Sequence, residues 1–305
     1  MVADLVGRPL QAFPDPGRLV LLDEISLHTG GCAVNTASTL ARFELPVEVI
    51  GRVGEDALGD FLLDALEGRG VGTGGVAVDP ETGTSATMVM VDEDGERRFL
   101  HHIGANAHLS LDDVDFDLVR RASILHVAGA LVLPSLDGEP TAELLRRARE
   151  AGIITFLDTV WDATGRWMSV LRPALPYVDY FVPSLPEARA LTGREEPEAA
   201  ARALLDEGVG TVGLKMGAEG ALVVTSGGEL LQVPAYEVNV VDATGAGDAF
   251  AAGFITGVWK GWSLEKSARF ANAVGALCVT GTGAAGGIRS FAETLDFMQS
   301  APVKR

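Results

Sequence analysis

Apolar residues follow two different patterns along the chain, and the pattern changes near residue 122. Before that point, two segments alternate as strands that turn back on themselves. The first, LVGRPLQAFPDPGRLVLLDEISLHT (5–29), has a turn near Pro14-Asp15-Pro16-Gly17. The second, TSATMVMVDEDGERRFLHH (84–102), has Glu93-Asp94-Gly95-Glu96 as its turn. Between them, Gly31 to Phe43 predicts a short helix of small residues, and VEVIGRVG (47–54) a strand with its exit. DALGDFLLDALEGRG (56–70) predicts a helix, with Leu58, Phe61, Leu62, Ala65 and Leu66 on its apolar side and glycines after it.

Beyond residue 122 strand and helix alternate. ASILHVAGAL (122–131) predicts a buried strand, and TAELLRRAREAG (141–152) a helix with Thr141 as N-cap and Gly152 past its end. IITFLDTV, YVDYFVP, GTVGLKMG and ALVVTS predict further strands, and Ser184-Leu-Pro-Glu187 opens a helix as a capping box. Two helices, 247–260 and 263–280, fill most of the last third, and GTGAAGG (281–287) follows the second. Such alternation predicts a largely parallel sheet with helices on both faces. The two hairpins do not fit that sheet and predict a separate small β-layer that acts as a lid. No repeat or linker divides the chain, so residues 1–305 are expected to form a single domain.

Composition narrows the function classes. At 305 residues and 47 % hydrophobic content the chain can bury a large core. A net charge of −18 argues against wrapping a nucleic-acid backbone. The two cysteines, Cys32 and Cys278, form no close pair in sequence, which suits a reduced, cytoplasmic setting. No apolar run is long enough to predict a membrane span. The chain has no Gly-Lys pair for a Walker loop, no H-E-x-x-H, and no complete G-x-G-x-x-G, which argues against a nicotinamide-binding oxidoreductase.

What remains is VVDATGAGDAF (240–250). A strand-like run, a turn nearly bare of side chains and a helix start together predict an anion site built from backbone N–H groups. Gly245, Ala246 and Gly247 would hold the anion, and Asp248 beside it could accept the proton of an attacking hydroxyl, as phosphoryl transfer requires. The same acid could equally be a favourable residue in a helix's first turn.

DATGAGDAFAAGF resembles the C-terminal signature of the ribokinase-like (pfkB) carbohydrate kinases. Gly30-Gly31-Cys-Ala-Val-Asn35-Thr-Ala37 is similar to the family's G-G-x-x-x-N-x-A, and Gly51-Arg-Val-Gly54-Glu-Asp56-Ala-Leu-Gly59 to its G-x-x-G-x-D-x-x-G. The resemblance covers essentially the whole chain. It implies a three-layer α/β/α sandwich with a β-lid, and transfer of the γ-phosphate of ATP, with Mg²⁺, to a sugar. Asp248 would be the catalytic base, with Gly245, Ala246 and Gly247 as the anion hole. Asp4, Gly30, Gly31 and Asn35 match positions that grip sugar hydroxyls. Lys215, Gly217 and Gly220 match the nucleotide-binding segment, and Asn272 and Ala276 match positions near the adenine. Glu187 would organise Mg²⁺ through water. Asp242, Thr244, Cys278, Gly281, Gly283 and Gly287 match a loop that holds a monovalent cation such as K⁺, mostly through main-chain carbonyls.

Each role has a plainer alternative: Asn35 could only satisfy a helix start, and Lys215 could be a strand-end charge; His101 and His102 end a lid strand and could face the sugar or be exposed lid residues. Asp158 and Asp162 follow a sheet strand, where ligands gather in open α/β folds, and either could serve substrate or structure. Cys32 is expected to be a small buried residue without chemistry. It stands where phosphofructokinase-like members tend to carry a lysine, which favours an unphosphorylated sugar, ribose, fructose or a related ketose or sugar acid, attacking through a primary hydroxyl. A nucleoside kinase is the alternative, with Trp161, Trp167, Phe99 or Phe13 as a base clamp, and a sugar sensor without catalysis is a further one.

Two departures carry expectations of their own. Ser184 replaces an asparagine of the family pattern, which keeps the helix cap but removes a carboxamide. The family also places a core strand ahead of the position of Asp4, and MVADLV leaves it almost no room. Either the numbered chain starts late or that strand is lost, which would expose apolar edges beside the site. Exposed lid edges also suggest a homodimer through the lid.

Overall fold

A computed structural model of the chain describes residues 1–92 and 96–304, so the expected turn residues Glu93, Asp94 and Gly95 lie outside the described residues. The first part runs β1 (Val2–Leu10), β2 (Glu24–Gly30), α1 (Cys32–Arg42), β3 (Glu48–Gly54), α2 (Ala57–Glu67), β4 (Gly72–Asp79), β5 (Ala86–Asp92) and β6 (Arg97–His102). The middle runs α3 (Phe116–Val119), β7 (Ile124–Ala130), α4 (Glu139–Glu150), β8 (Ile154–Thr159), α5 (Met168–Leu171), β9 (Tyr180–Phe181), α6 (Leu185–Thr192) and α7 (Pro197–Asp206). The last part runs β10 (Thr211–Lys215), β11 (Ala221–Thr225), β12 (Leu230–Val233), α8 (Ala246–Trp259), α9 (Leu264–Cys278) and α10 (Phe291–Ser300).

The main sheet has the order β12-β11-β10-β9-β8-β7. Neighbours are parallel from β7 to β10, and antiparallel from there to β12. Successive side chains on a strand point to opposite faces, and each face has its own core. Leu157, Val212 and Leu214 pack with α4, α6 and α7 on one face. Phe156, Val182 and Val223 pack with α1, α8, α9 and α10 on the other. These are the three expected layers. Helix α8 is buried along most of its length, which is why its sequence is apolar nearly all round.

The lid is a four-stranded sheet of order β2-β1-β5-β6. Its first strand begins at Val2, earlier than the hairpin boundary expected near residue 5, so Asp4 is a lid residue within β1. Register places Asp4 beside His28 and Thr87, and Thr87 beside His101. The next row is Leu27, Leu5, Met88 and Leu100, all exposed, and alternation puts it on the opposite face.

Several boundaries differ from expectation. Helix α4 starts at Glu139 after Gly138, because Pro140 suits a first helical turn. Thr141 therefore lies inside the helix, where its Oγ1 donates to the carbonyl of Leu136 at 2.7 Å. The strand expected over YVDYFVP is only Tyr180–Phe181. Strand β4 had no apolar signal because GTGGVAVD opens on glycines. It pairs with β3 as a parallel two-stranded sheet, apart from the six-stranded main sheet and the four-stranded lid.

Candidate active site

The site assembles where the first turns of α1 and α8 meet. Gly245 caps α8 with φ +76°, in the left-handed region that favours glycine, and a Cβ there would fall 2.5 Å from the Cβ of Ala284. The turn is thus closed from behind by the 281–287 loop. Ala246 and Gly247 open a helix of fourteen residues, whose first N–H groups and positive dipole end suit an anion.

Asp248 follows at once. Its Oδ2 accepts a hydrogen bond of 2.8 Å from Asn35 Nδ2, and its main-chain carbonyl accepts one of 3.3 Å from Thr36 Oγ1. The Cys32 thiol also bonds to the Asp248 carboxylate. Asp248 keeps some surface toward the cleft, yet burial raises its pKa above the ordinary carboxylate value, against the pull of Asn35 and Lys215. Cys32, expected to be inert packing, therefore touches the key acid. Burial raises its own pKa well above the ordinary thiol value, so it stays a neutral donor.

Lys215, at the end of β10, is not an exposed strand-end charge. Its Nζ lies 2.8 and 2.7 Å from the two carboxylate oxygens of Asp158, at the end of β8. A Cβ added to Gly247 would lie 3.2 Å from that ammonium, so Lys215 reaches the anion-receptive turn itself. Burial pushes the Asp158 carboxyl up to about 7 against the pull of Lys215. Burial opposes the charge on Lys215, but Asp158 and Glu187 outweigh it and the pKa is raised. Asp162, by contrast, organises its own loop, accepting from Thr164 N at 2.8 Å and Trp167 N at 2.6 Å. Sequence gave no hint that Asp158 and Lys215 pair, beyond their both ending sheet strands.

Glu187 keeps its capping role, with Oε2 accepting from Ser184 N at 2.7 Å, and its charge is also felt at Asp158, Lys215 and Asp248. On the lid side, β1 crosses the Gly30-Gly31 pair closely. A Cβ on Gly30 would lie 2.0 Å from Asp4 Oδ2, and one on Gly31 3.2 Å from the Val2 nitrogen. Burial raises the Asp4 pKa, with a Thr87 hydrogen bond pulling it back. His101 Nδ1 lies 3.1 Å from Thr87 Oγ1, which completes a polar row on the face of Asp4.

The expected nucleotide residues are less uniform. Gly217 faces open space at the β10–β11 turn, whereas Gly220 is pressed against the Val233 carbonyl. Asn272 is buried, and its Nδ2 donates to the carbonyls of Val233 at 3.0 Å and Pro234 at 3.1 Å, so its amide nitrogen braces the exit of β12. Ala276 is half-buried on α9. The expected cation loop does come together. Asp242 accepts from Thr244 N and Gly283 N at 2.8 Å each, and the Cys278 thiol reaches the carbonyls of Thr244 and Ala284. Gly281 packs against the backbone of Gly286 and Gly287, and Gly287 against the carbonyls of Leu277 and Cys278 at the end of α9. Of the aromatics, Trp161 and Trp167 meet edge to face at 4.8 Å, while Phe13 and Phe99 are exposed on the lid side.

A lidded α/β/α sandwich with an acid at an anion-receptive helix start defines a small-molecule kinase. The chain belongs to the pfkB family of carbohydrate kinases, whose profile matches residues 1–290. An ATP-dependent ribose-1-phosphate kinase of Halopiger xanaduensis is 33 % identical, covering 84 % of this chain and 81 % of its own. The crystal structure of ribokinase from Thermotoga maritima superposes with a TM-score of 0.85 at 28 % identity, over 98 % of this chain and 96 % of that one. Arabidopsis thaliana ribokinase, solved with ribose and ATP, gives 0.83 at 28 % identity, over 97 % and 96 %. Among the described residues no helix is long and apolar enough to cross a membrane.

Proposed function

We propose that this carbohydrate kinase phosphorylates a primary hydroxyl of an unphosphorylated sugar, with Asp248 as base. The observation that carries the reading is the 2.8 Å bond between Asn35 and Asp248 at the first turn of α8. It joins a residue of the Gly-Gly segment under the lid to an acid beside the anion-receptive turn. A sugar held by Asp4, Gly30, Gly31 and Asn35 would present its hydroxyl to Asp248. The hydroxyl proton moves to Asp248, the oxygen bonds to the γ-phosphorus, and the bond to the β–γ bridging oxygen breaks, releasing ADP. Gly245, Ala246, Gly247 and Lys215 would hold the transferring phosphoryl group. Gly217, Gly220 and Ala276 would flank the nucleotide, with Asn272 as a brace behind it.

Three carboxylates, Asp158, Glu187 and Asp248, surround the one Lys215 ammonium, and this negative excess suits a divalent cation. Among the described residues no group of three or more His, Cys, Asp or Glu side chains is close enough to hold a metal alone. Glu187 would hold Mg²⁺ through water, and the ion would neutralise phosphate charge. The carbonyls of Thr244 and Ala284, with Asp242 beneath them, suit K⁺. The polar lid row of Asp4, Thr87 and His101 suits hydroxyls, and an ionised Asp4 would repel a substrate phosphate. The exposed apolar row of Leu5, Leu27, Met88 and Leu100 would join two copies through their lids.

The test is ADP release from MgATP with K⁺ across free sugars, sugar phosphates including ribose 1-phosphate, and nucleosides, with Asp248→Asn alongside. Free sugars should be turned over, and the variant should lose about three or more orders of magnitude in kcat. Preferred turnover of a sugar phosphate or a nucleoside would overturn the substrate reading. A variant of near-normal rate would remove Asp248 as base.

A further inference from the structure

Acids outnumber Lys and Arg in this chain by 42 to 24, and arginines such as Arg8, Arg52, Arg146 and Arg172 pair with carboxylates. Arg69, just past the end of α2, bonds to two neutral hydroxyls instead. Its Nη1 donates to Thr29 Oγ1 at 2.9 Å and to Ser38 Oγ at 3.0 Å. Partial burial lowers the pKa of its guanidinium, and no carboxylate pulls it back. The group stays charged at any pH near neutrality. A cation drawn partly out of water with only neutral partners costs stability until an anion joins it.

Arg69 lines a pocket of about 210 Å³ with Ser38, Thr39 and Arg42 of α1 and with Ala285 and Ile288 of the segment ahead of α10. Arg42 and Arg289 add positive charge nearby. Both act on Glu293, whose carboxylate is already engaged by the N–H and hydroxyl of Ser290. The carbonyls that end α1, of Thr39, Leu40 and Ala41, accept from the N–H groups of Phe43, Glu44 and Leu45, so they make no demand on the pocket. The pocket stands apart from the sugar site. Thr29 follows His28 on β2, and alternation turns it away from the polar row of Asp4, Thr87 and His101. The pocket adjoins the site from behind, because Ala285 follows the Ala284 that backs Gly245, and Thr39 Oγ1 donates to the Asn35 carbonyl at 3.0 Å.

We propose that this pocket binds the phosphate group of a small anion, behind the turn at Gly245. Thr29 and Ser38 hold the Arg69 guanidinium through one nitrogen, and its remaining N–H groups suit two phosphate oxygens at once. Ser38 Oγ accepts from Arg69, so its own proton is left for a phosphate oxygen. Arg42 supplies a second positive charge across the pocket. The volume leaves space beyond the phosphate for a short carbon chain, so inorganic phosphate and a small phosphate monoester share the chemistry the pocket recognises.

The test titrates the chain with inorganic phosphate and, separately, with glycerol 3-phosphate, and follows backbone amide shifts by NMR. Position-resolved shifts keep this pocket distinct from the turn at Gly245–Gly247, where phosphate is also expected to bind. The amides of Ser38, Thr39, Ala285 and Ile288 should move and saturate below about 10 mM of at least one probe. Tighter binding of inorganic phosphate would make the free ion the occupant, and tighter binding of glycerol 3-phosphate a phosphate monoester; either supports the pocket. Arg69→Gln should weaken the response at those amides by about tenfold or more and leave the response at Gly247 unchanged. If Arg69→Gln does not fold, Arg42→Gln must weaken the same response. Shifts absent at those amides, reproduced by sodium chloride at matched ionic strength, or unchanged in both variants would overturn the proposal.

Discussion

At the scale of single residues, the site turns on Asn35 and Asp248. Both stand in recognisable motifs, yet 213 positions separate them, and neither motif says that they touch. Their contact makes a prediction beyond loss of sugar binding. The Asn35 N–H stabilises the charged form of Asp248, so removing it raises a pKa that burial has already raised. A base must be deprotonated to act, so activity falls as pH drops through that pKa. Asn35→Ala should therefore move the acid limb of the kcat/KM profile to higher pH, with roughly a tenfold loss near neutrality that lessens in alkali. A raised KM with an unmoved limb would make Asn35 a sugar ligand only. Asp158 and Lys215 were less legible. An acid and a lysine ending two strands have many uses, and only the position of β9 between those strands sets their separation.

At the scale of elements, local signals were sound where one stretch of chain contains both partners. The Ser184–Glu187 capping box is present in both directions, although Ser184 stands where the family pattern has asparagine. Asp56 caps α2 by accepting from Leu58 and Gly59. Patterns failed where tertiary packing supplied the stability: β4 is glycine-rich, and β9 has two residues held between longer neighbours. The start of α8 joins both kinds of information. Its glycine signature was readable, but the closeness of Ala284 was not. Gly245→Ala should lose roughly 1–3 kcal/mol of stability, because the backbone there is left-handed and the new methyl meets Ala284. Urea denaturation reads the loss, and an unchanged midpoint would mean that the 281–287 loop yields freely.

At the scale of the whole molecule, the lid has two faces of different character. One carries Asp4, Thr87 and His101 beside Gly30, and the other a row of exposed apolar side chains. Leu27, Leu5, Met88 and Leu100 are 38, 41, 51 and 56 % exposed, enough for a contiguous apolar patch. Sedimentation should show a dimer that Met88→Glu dissociates, and a monomeric parent chain would remove the lid interface.

The sequence by itself determined the class of fold, the lid, and the motifs that mark the family. These depend on periodicity and on short motifs whose partners lie within a few residues. The tertiary structure alone decided that Cys32 and Asn35 reach Asp248, that Asp158 holds Lys215 beside Gly247, and that Arg69 reaches Thr29 and Ser38. Such contacts follow from the path of the strands and the packing of the helices over them, which bring together groups that no local pattern relates.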